Sequence, residues 1–154
     1  MSAHDDLSAR TIVQTRLISA PRELVFEAWT KPEHLTRWWG PDGYTTTVLS
    51  MDFSEGGLLR FIMHGPNGTD YDNRIAYRKI VAPERLEYRH GNDRDDDPNA
   101  FEVTVTFADS DQGTQLTMSS VFPSIAMVEA VKSFGAVELG QQTLGKLDAF
   151  VRAL

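Results

Sequence analysis

Tyr88 and His90, in the stretch RLEYRH over 85–90, lie two residues apart and so share one face of a predicted strand. Histidine is the side chain that changes charge closest to neutral pH, and a tyrosine beside it can orient a reacting group. Asn73 and Ser120 fall on the same inward parity of their own strands. A buried polar group without a partner costs roughly 1–3 kcal/mol, so each must meet protein, water or a ligand. The remaining histidines are less well placed: His4 lies near the N-terminus, His34 on the solvent side of a short helix, and His64 at a strand end. His90 is therefore the one candidate general base, and no complete catalytic set forms around it. Gly-x-Ser-x-Gly, His-Glu-x-x-His, phosphate-loop and dinucleotide fingerprints are all missing from the sequence.

Metal chemistry is equally thin. The chain has no cysteine, which removes thiolate catalysis, iron–sulfur clusters and cysteine-ligated zinc. Asp93, Asp95 and Asp97 have the first, third and fifth spacing of a calcium loop. Pro98 stands where that loop needs glycine, and Thr104 where it needs a bidentate glutamate. The run reads as a solvated hairpin loop. No metal and no cofactor are expected.

Apolar side chains dominate the same inward parity: Phe61, Met63, Ile75, Tyr77, Leu86, Phe101, Val103, Val105, Phe107, Leu116 and Met118. A mostly apolar lining with few convergent polar groups describes a small-molecule site. The stretch HLTRWWGPDGY, 34–44, adds two adjacent tryptophans before a Gly-Pro turn. Neighbours on a helix point about 100° apart, so one narrow stripe cannot hold both. Trp38 is expected in the core, with Trp39 and Tyr44 closing a pocket mouth.

These residues need elements to hold them. TIVQTRLIS, 11–19, reads as a strand. A short helix follows over 20–30, with Pro21 in its first turn. Thr30 and Glu33 fit a capping box for a second short helix carrying Leu35 and Trp38. Six strands then alternate over 45–53, 58–64, 71–81, 85–90, 101–107 and 115–122, with Leu49, Met51 and Phe53 on one face of the first. Gly56-Gly57, Gly65-Pro66-Asn67-Gly68 and Asp111-Gln112-Gly113 supply turns. A helical piece at about 125–133 and a break at Ser133-Phe134-Gly135 precede the last segment. There Val137, Gly140, Leu144, Leu147, Val151 and Leu154 recur at spacings of three and four, the stripe of a long amphipathic helix. The expected fold is α+β: a curved antiparallel sheet of about seven strands gripping that helix, with the space between them a natural pocket.

The totals bound the partners. The chain's 154 residues suggest one domain over 11–154 behind a flexible tail over 1–10. A net charge of −7 disfavours nucleic acid and anionic membranes as partners. No membrane span and no signal peptide are read from the sequence, and a cytoplasmic location is expected.

SAPRELVFEAWTKPEHLTRWWGP, the glycine pair at 56–57, GPNGTDY at 65–71 and GQQTLGKLDAFV near the C-terminus resemble the family of activator of heat-shock protein 90 ATPase homologues. This family lies within the START-like, Bet v 1-like helix-grip superfamily, and the resemblance covers about residues 11 to 152. It implies an apolar cavity between sheet and long helix. Superfamily members bind lipids, sterols, polyketides or hormones, and some catalyse cyclisation. The co-chaperone that names the family has a further N-terminal domain with no counterpart in these residues.

Three functions stay open at this point. The leading one is non-catalytic binding of a small apolar or amphipathic molecule. Its expected lining is Trp38, Trp39, Tyr44, Phe61, Met63, Asn73, Tyr77, Tyr88, His90, Phe101, Val103, Met118, Phe134, Gly140 and Leu144. The second is a cyclase or hydrolase in the same cavity, with His90 as its base. The third is a protein-interaction module, with a chaperone or a second copy of the chain as partner. Gly140 on the inner helix stripe marks either close packing or room left for a ligand.

Overall fold

The computed structural model describes residues 7–154. The elements run β1 (Thr11–Ile18), α1 (Arg22–Glu27), α2 (Pro32–Trp38), β2 (Thr45–Met51), β3 (Leu58–His64), β4 (Asp70–Val81), β5 (Arg85–Asn92), β6 (Phe101–Ser110), β7 (Gly113–Val121), α3 (Ile125–Ser133) and α4 (Ala136–Arg152). All seven strands form one antiparallel sheet in the order β1-β7-β6-β5-β4-β3-β2. β1 and β2 occupy opposite edges, so α1 and α2 carry the chain across the whole sheet. The long helix α4 lies on the same inner face, burying Leu144, Leu147 and Val151. The core between them joins Val25, Phe26, Trp29 and Trp38 to Leu59, Phe61, Leu86, Val105 and Phe107. A smaller cluster of Ile12, Phe122 and Val128 lies under α3, and Phe101 packs against both clusters.

Several local expectations are corrected. The tail was expected to run to residue 10, and its first six residues lie outside the described ones. Residues 7–9 instead form a helical turn, and Arg10 exchanges hydrogen bonds with Phe122. The Thr30–Glu33 capping box does not form. Lys31 is the N-cap of α2, and the Thr30 hydroxyl turns back to donate to the Glu27 carbonyl. Pro21 is the N-cap of α1 rather than part of its first turn. In β2 a bulge between Val48 and Ser50 shifts the register, which reverses the side-chain parity. Thr46 and Val48 therefore face inward before it and Met51 and Phe53 after it, while Leu49 is 49% exposed.

Candidate functional site

The register of the sheet builds the site. Tyr88 pairs with Val103 and Val103 with Ser120, so one row crosses β5, β6 and β7 on the inner face. His90 pairs with Phe101 in the next row. From below, α4 contributes Gly140, Thr143 and Leu144, while Trp38–Pro41 and Met63 form a side wall. Together with Met118 these residues line a half-open cavity of about 200 Å³.

Both tryptophans face inward because the helix ends between them. Trp39 is the C-cap of α2, with φ −67° and ψ 131°, so the chain has already turned extended. Trp38 is 1% exposed, and its indole nitrogen donates to the Ala28 carbonyl at 3.0 Å. The half-buried Trp39 ring stands 5.3 Å from Trp38, 5.7 Å from Phe61 and 6.2 Å from His90. Gly40 follows at φ +104°, a left-handed conformation that side chains rarely adopt. A Cβ there would also press within 3.2 Å of the Tyr44 Cβ and 3.4 Å of the Met63 methyl.

His90 is ringed by aromatic groups, with Phe101 at 5.0 Å and Phe61 at 5.8 Å. Burial lowers its pKa from 6.5 to about 4, so it is neutral at pH 7. Its Nε2 lies 2.9 Å from Asn73 Oδ1. Burial, and secondarily the neighbouring Tyr77, pushes the Tyr88 phenol above its ordinary range, so it too stays neutral. Among the described residues, the sealed side-chain polar atoms that make no hydrogen bond are Trp29 Nε1 and Arg22 Nε, the latter paired with the Asp109 carboxylate at 3.4 Å. The Tyr88 hydroxyl, the Ser120 hydroxyl and His90 Nδ1 also lack a protein partner among the described residues, yet they are not sealed. Their residues line the cavity.

Of the residues expected in the lining, Trp38, Trp39, Met63, Tyr88, His90, Phe101, Val103, Met118, Gly140 and Leu144 surround this space. Five stand elsewhere. Phe61 packs behind Trp39 and His90, and Asn73 sits behind His90 as its hydrogen-bond partner. Tyr77 faces Phe53, 5.0 Å away. Tyr44 is not among the lining residues and leans against Tyr71 at 6.3 Å. Phe134 is 82% exposed, because Gly135 at φ +83° breaks the chain between α3 and α4. Gly40, Pro41, Ser120 and Thr143 also line the space and were not in the expected lining. Ser120 was legible as an inward polar residue and Thr143 lies next to Leu144 of the helix stripe, whereas nothing in the sequence aimed Gly40 or Pro41.

Gly140 answers its own question. A Cβ there would meet the Gln14 side-chain amide, so the glycine admits a β1 side chain that approaches the helix closely. Larger depressions exist, one of about 460 Å³ beside Arg74, Arg89 and Asp95 and one of about 620 Å³ along Arg16, Gln141 and Lys146. Both are edged by charged groups, and neither gathers the inward aromatic residues. The run 92–99 folds on itself: Asp97 accepts from the Asn92 and Asn99 backbone nitrogens, and Asp93 pairs with Arg60 and Arg74. Among the described residues no acidic or histidine cluster could hold a metal, and no helix is long and apolar enough to cross a membrane.

Solved structures share this architecture. A protein from Chromobacterium violaceum is 28% identical, with 92% of this chain and 96% of that chain covered and a TM-score of 0.79. One from Arthrobacter aurescens is 25% identical, with 97% and 90% covered and a TM-score of 0.87. One from Nitrosomonas europaea, 19% identical over 95% and 96%, shows the same fold at a TM-score of 0.87. Among curated proteins none matches the chain. The family model described as Activator of Hsp90 ATPase homolog 1-like protein matches residues 19–152, nearly the whole grip from the end of β1 to the end of α4. The chain belongs to that family and has its helix-grip fold.

Proposed function

We propose that this protein binds a small, mainly apolar molecule, non-covalently, in the cavity between the sheet and α4. The observation that carries this reading is the lining itself. Trp39, Met63, Phe101, Val103, Met118 and Leu144 supply apolar surface, and three unpartnered polar groups, on Tyr88, His90 and Ser120, converge on it. Apolar burial supplies affinity and the polar groups fix orientation. At about 200 Å³ the space is below the roughly 300–1,000 Å³ of drug-sized sites. It suits a single ring or a short chain better than a sterol or a lipid. Catalysis is the less supported use. A histidine with a pKa near 4 is a weak base at pH 7, better suited to holding a ligand than to abstracting its proton.

The test is calorimetric titration of the protein with one-ring apolar molecules, beside Ser120→Phe. Ser120 lines the cavity from β7, and a phenyl ring there occupies the ligand's space. The expected result is one molecule bound per wild-type chain and none by a variant whose circular dichroism is unchanged. Undiminished binding by Ser120→Phe would place the ligand elsewhere and end this reading.

A further inference from the structure

We propose that the cavity selects neutral ligands bearing a hydroxyl or N–H donor, and that His90 Nδ1 is the acceptor that selects them. This inference rests on the cavity reading above and adds the chemistry of the ligand.

The argument runs through three hydrogen-bonding groups. Asn73 Nδ2 donates to the Tyr71 carbonyl at 2.9 Å. A carbonyl can only accept, so the amide cannot be turned round without facing oxygen to oxygen. Its Oδ1 is therefore the atom 2.9 Å from His90 Nε2. That oxygen also only accepts, so Nε2 carries the hydrogen. A neutral imidazole has one ring hydrogen, and Nδ1 is left as a lone pair. The strand register holds the relay in place: His90 pairs with Ile75, and Asn73 lies two residues along on the same inner face.

The other polar groups of the lining do not discriminate. The hydroxyls of Tyr88 and Ser120 rotate to donate or accept. His90 Nδ1 can only accept, so a ligand without a donor leaves a desolvated acceptor unpaired. A carboxylate fares worse, since it offers only acceptors and the lining contains no Arg or Lys to balance its charge.

The experiment is calorimetric titration of the wild-type chain at pH 7 with phenol, anisole, toluene and benzoate. Phenol should bind roughly five- to tenfold tighter than anisole or toluene, the factor of one net hydrogen bond, with benzoate weakest. Anisole binding as tightly as phenol, or benzoate binding tightest, would overturn the donor rule while leaving the cavity reading intact. No binding by any of the four would remove both. In His90→Phe the phenol preference should vanish while toluene still binds. Should that variant not fold, Asn73→Leu keeps the imidazole but releases its tautomer, and the phenol preference should fall. Long-range proton–nitrogen spectra of the wild type should show the Nε2–H form of His90, and an Nδ1–H form would refute the relay.

Discussion

His90 is most useful to the fold when it carries no charge, and this gives the protein an acid sensitivity that one residue should explain. In the unfolded chain the ring takes a proton near pH 6.5, whereas in the folded chain burial delays this to about pH 4. Between those values the unfolded state binds the extra proton, so stability falls as pH falls. The contribution is fully present above about 6.5, and on the order of 3 kcal/mol is lost by pH 4. Trp39, Phe61, Phe101 and Asn73 surround the ring, none of them charged, and Tyr88 on the same strand does not titrate in this window. Urea unfolding at pH 7, 6, 5 and 4 should show a steeper acid loss for wild type than for His90→Phe; parallel losses would contradict the account. Strand parity alone was enough to turn Tyr88, His90, Asn73 and Ser120 inward. It could not separate Asn73, which lies behind the wall, from His90, which forms it. That distinction depends on which inward side chain the long helix leaves uncovered. Phe134 was misjudged for a different reason: it belongs to a chain break, where neither period applies.

At the scale of elements, the contact between β1 and α4 explains a glycine that helix propensity disfavours. Alanine at position 140 would favour the helix by about 1 kcal/mol. Its methyl would displace the Gln14 amide, which also accepts from Gln141 Nε2 at 3.2 Å. Gly140→Ala should therefore stabilise little in wild type, and by about 1 kcal/mol once Gln14→Ala has cleared the space. A double-mutant cycle read by thermal unfolding measures that coupling, and additive effects would refute the steric account. The elements were largely legible, since alternation marked the strands and the three–four spacing marked α4. The exceptions were features that a pattern does not encode. The β2 bulge changes parity in mid-strand, so Leu49 read as inward when it is not. The capping box matched by residue type, yet Thr30 bonds to the preceding carbonyl and leaves Lys31 to cap α2.

Across the whole molecule, packing is unequal along α4. Leu147 and Val151 are sealed in the main core, while Gly140, Thr143 and Leu144 line the cavity. The order of elements announced a grip. The volume left inside it is a small remainder between large packed volumes, and no short motif specifies it. Such a remainder couples folding to occupancy. A ligand that binds only the folded chain stabilises it by about 2.7 kcal/mol at a free concentration one hundred times its Kd. For a chain of this length each kcal/mol raises Tm by roughly 2–4 °C, so saturating phenol should raise it by about 5–10 °C. Ser120→Phe should show no such rise, because its own ring occupies the space. Phe134→Ser should show the full rise, because Phe134 stands 82% exposed and outside the lining. Scanning calorimetry of the three chains with and without phenol separates these outcomes. A ligand shift that survives in Ser120→Phe, or disappears in Phe134→Ser, would move the binding site away from the grip and toward the corner between α3 and α4.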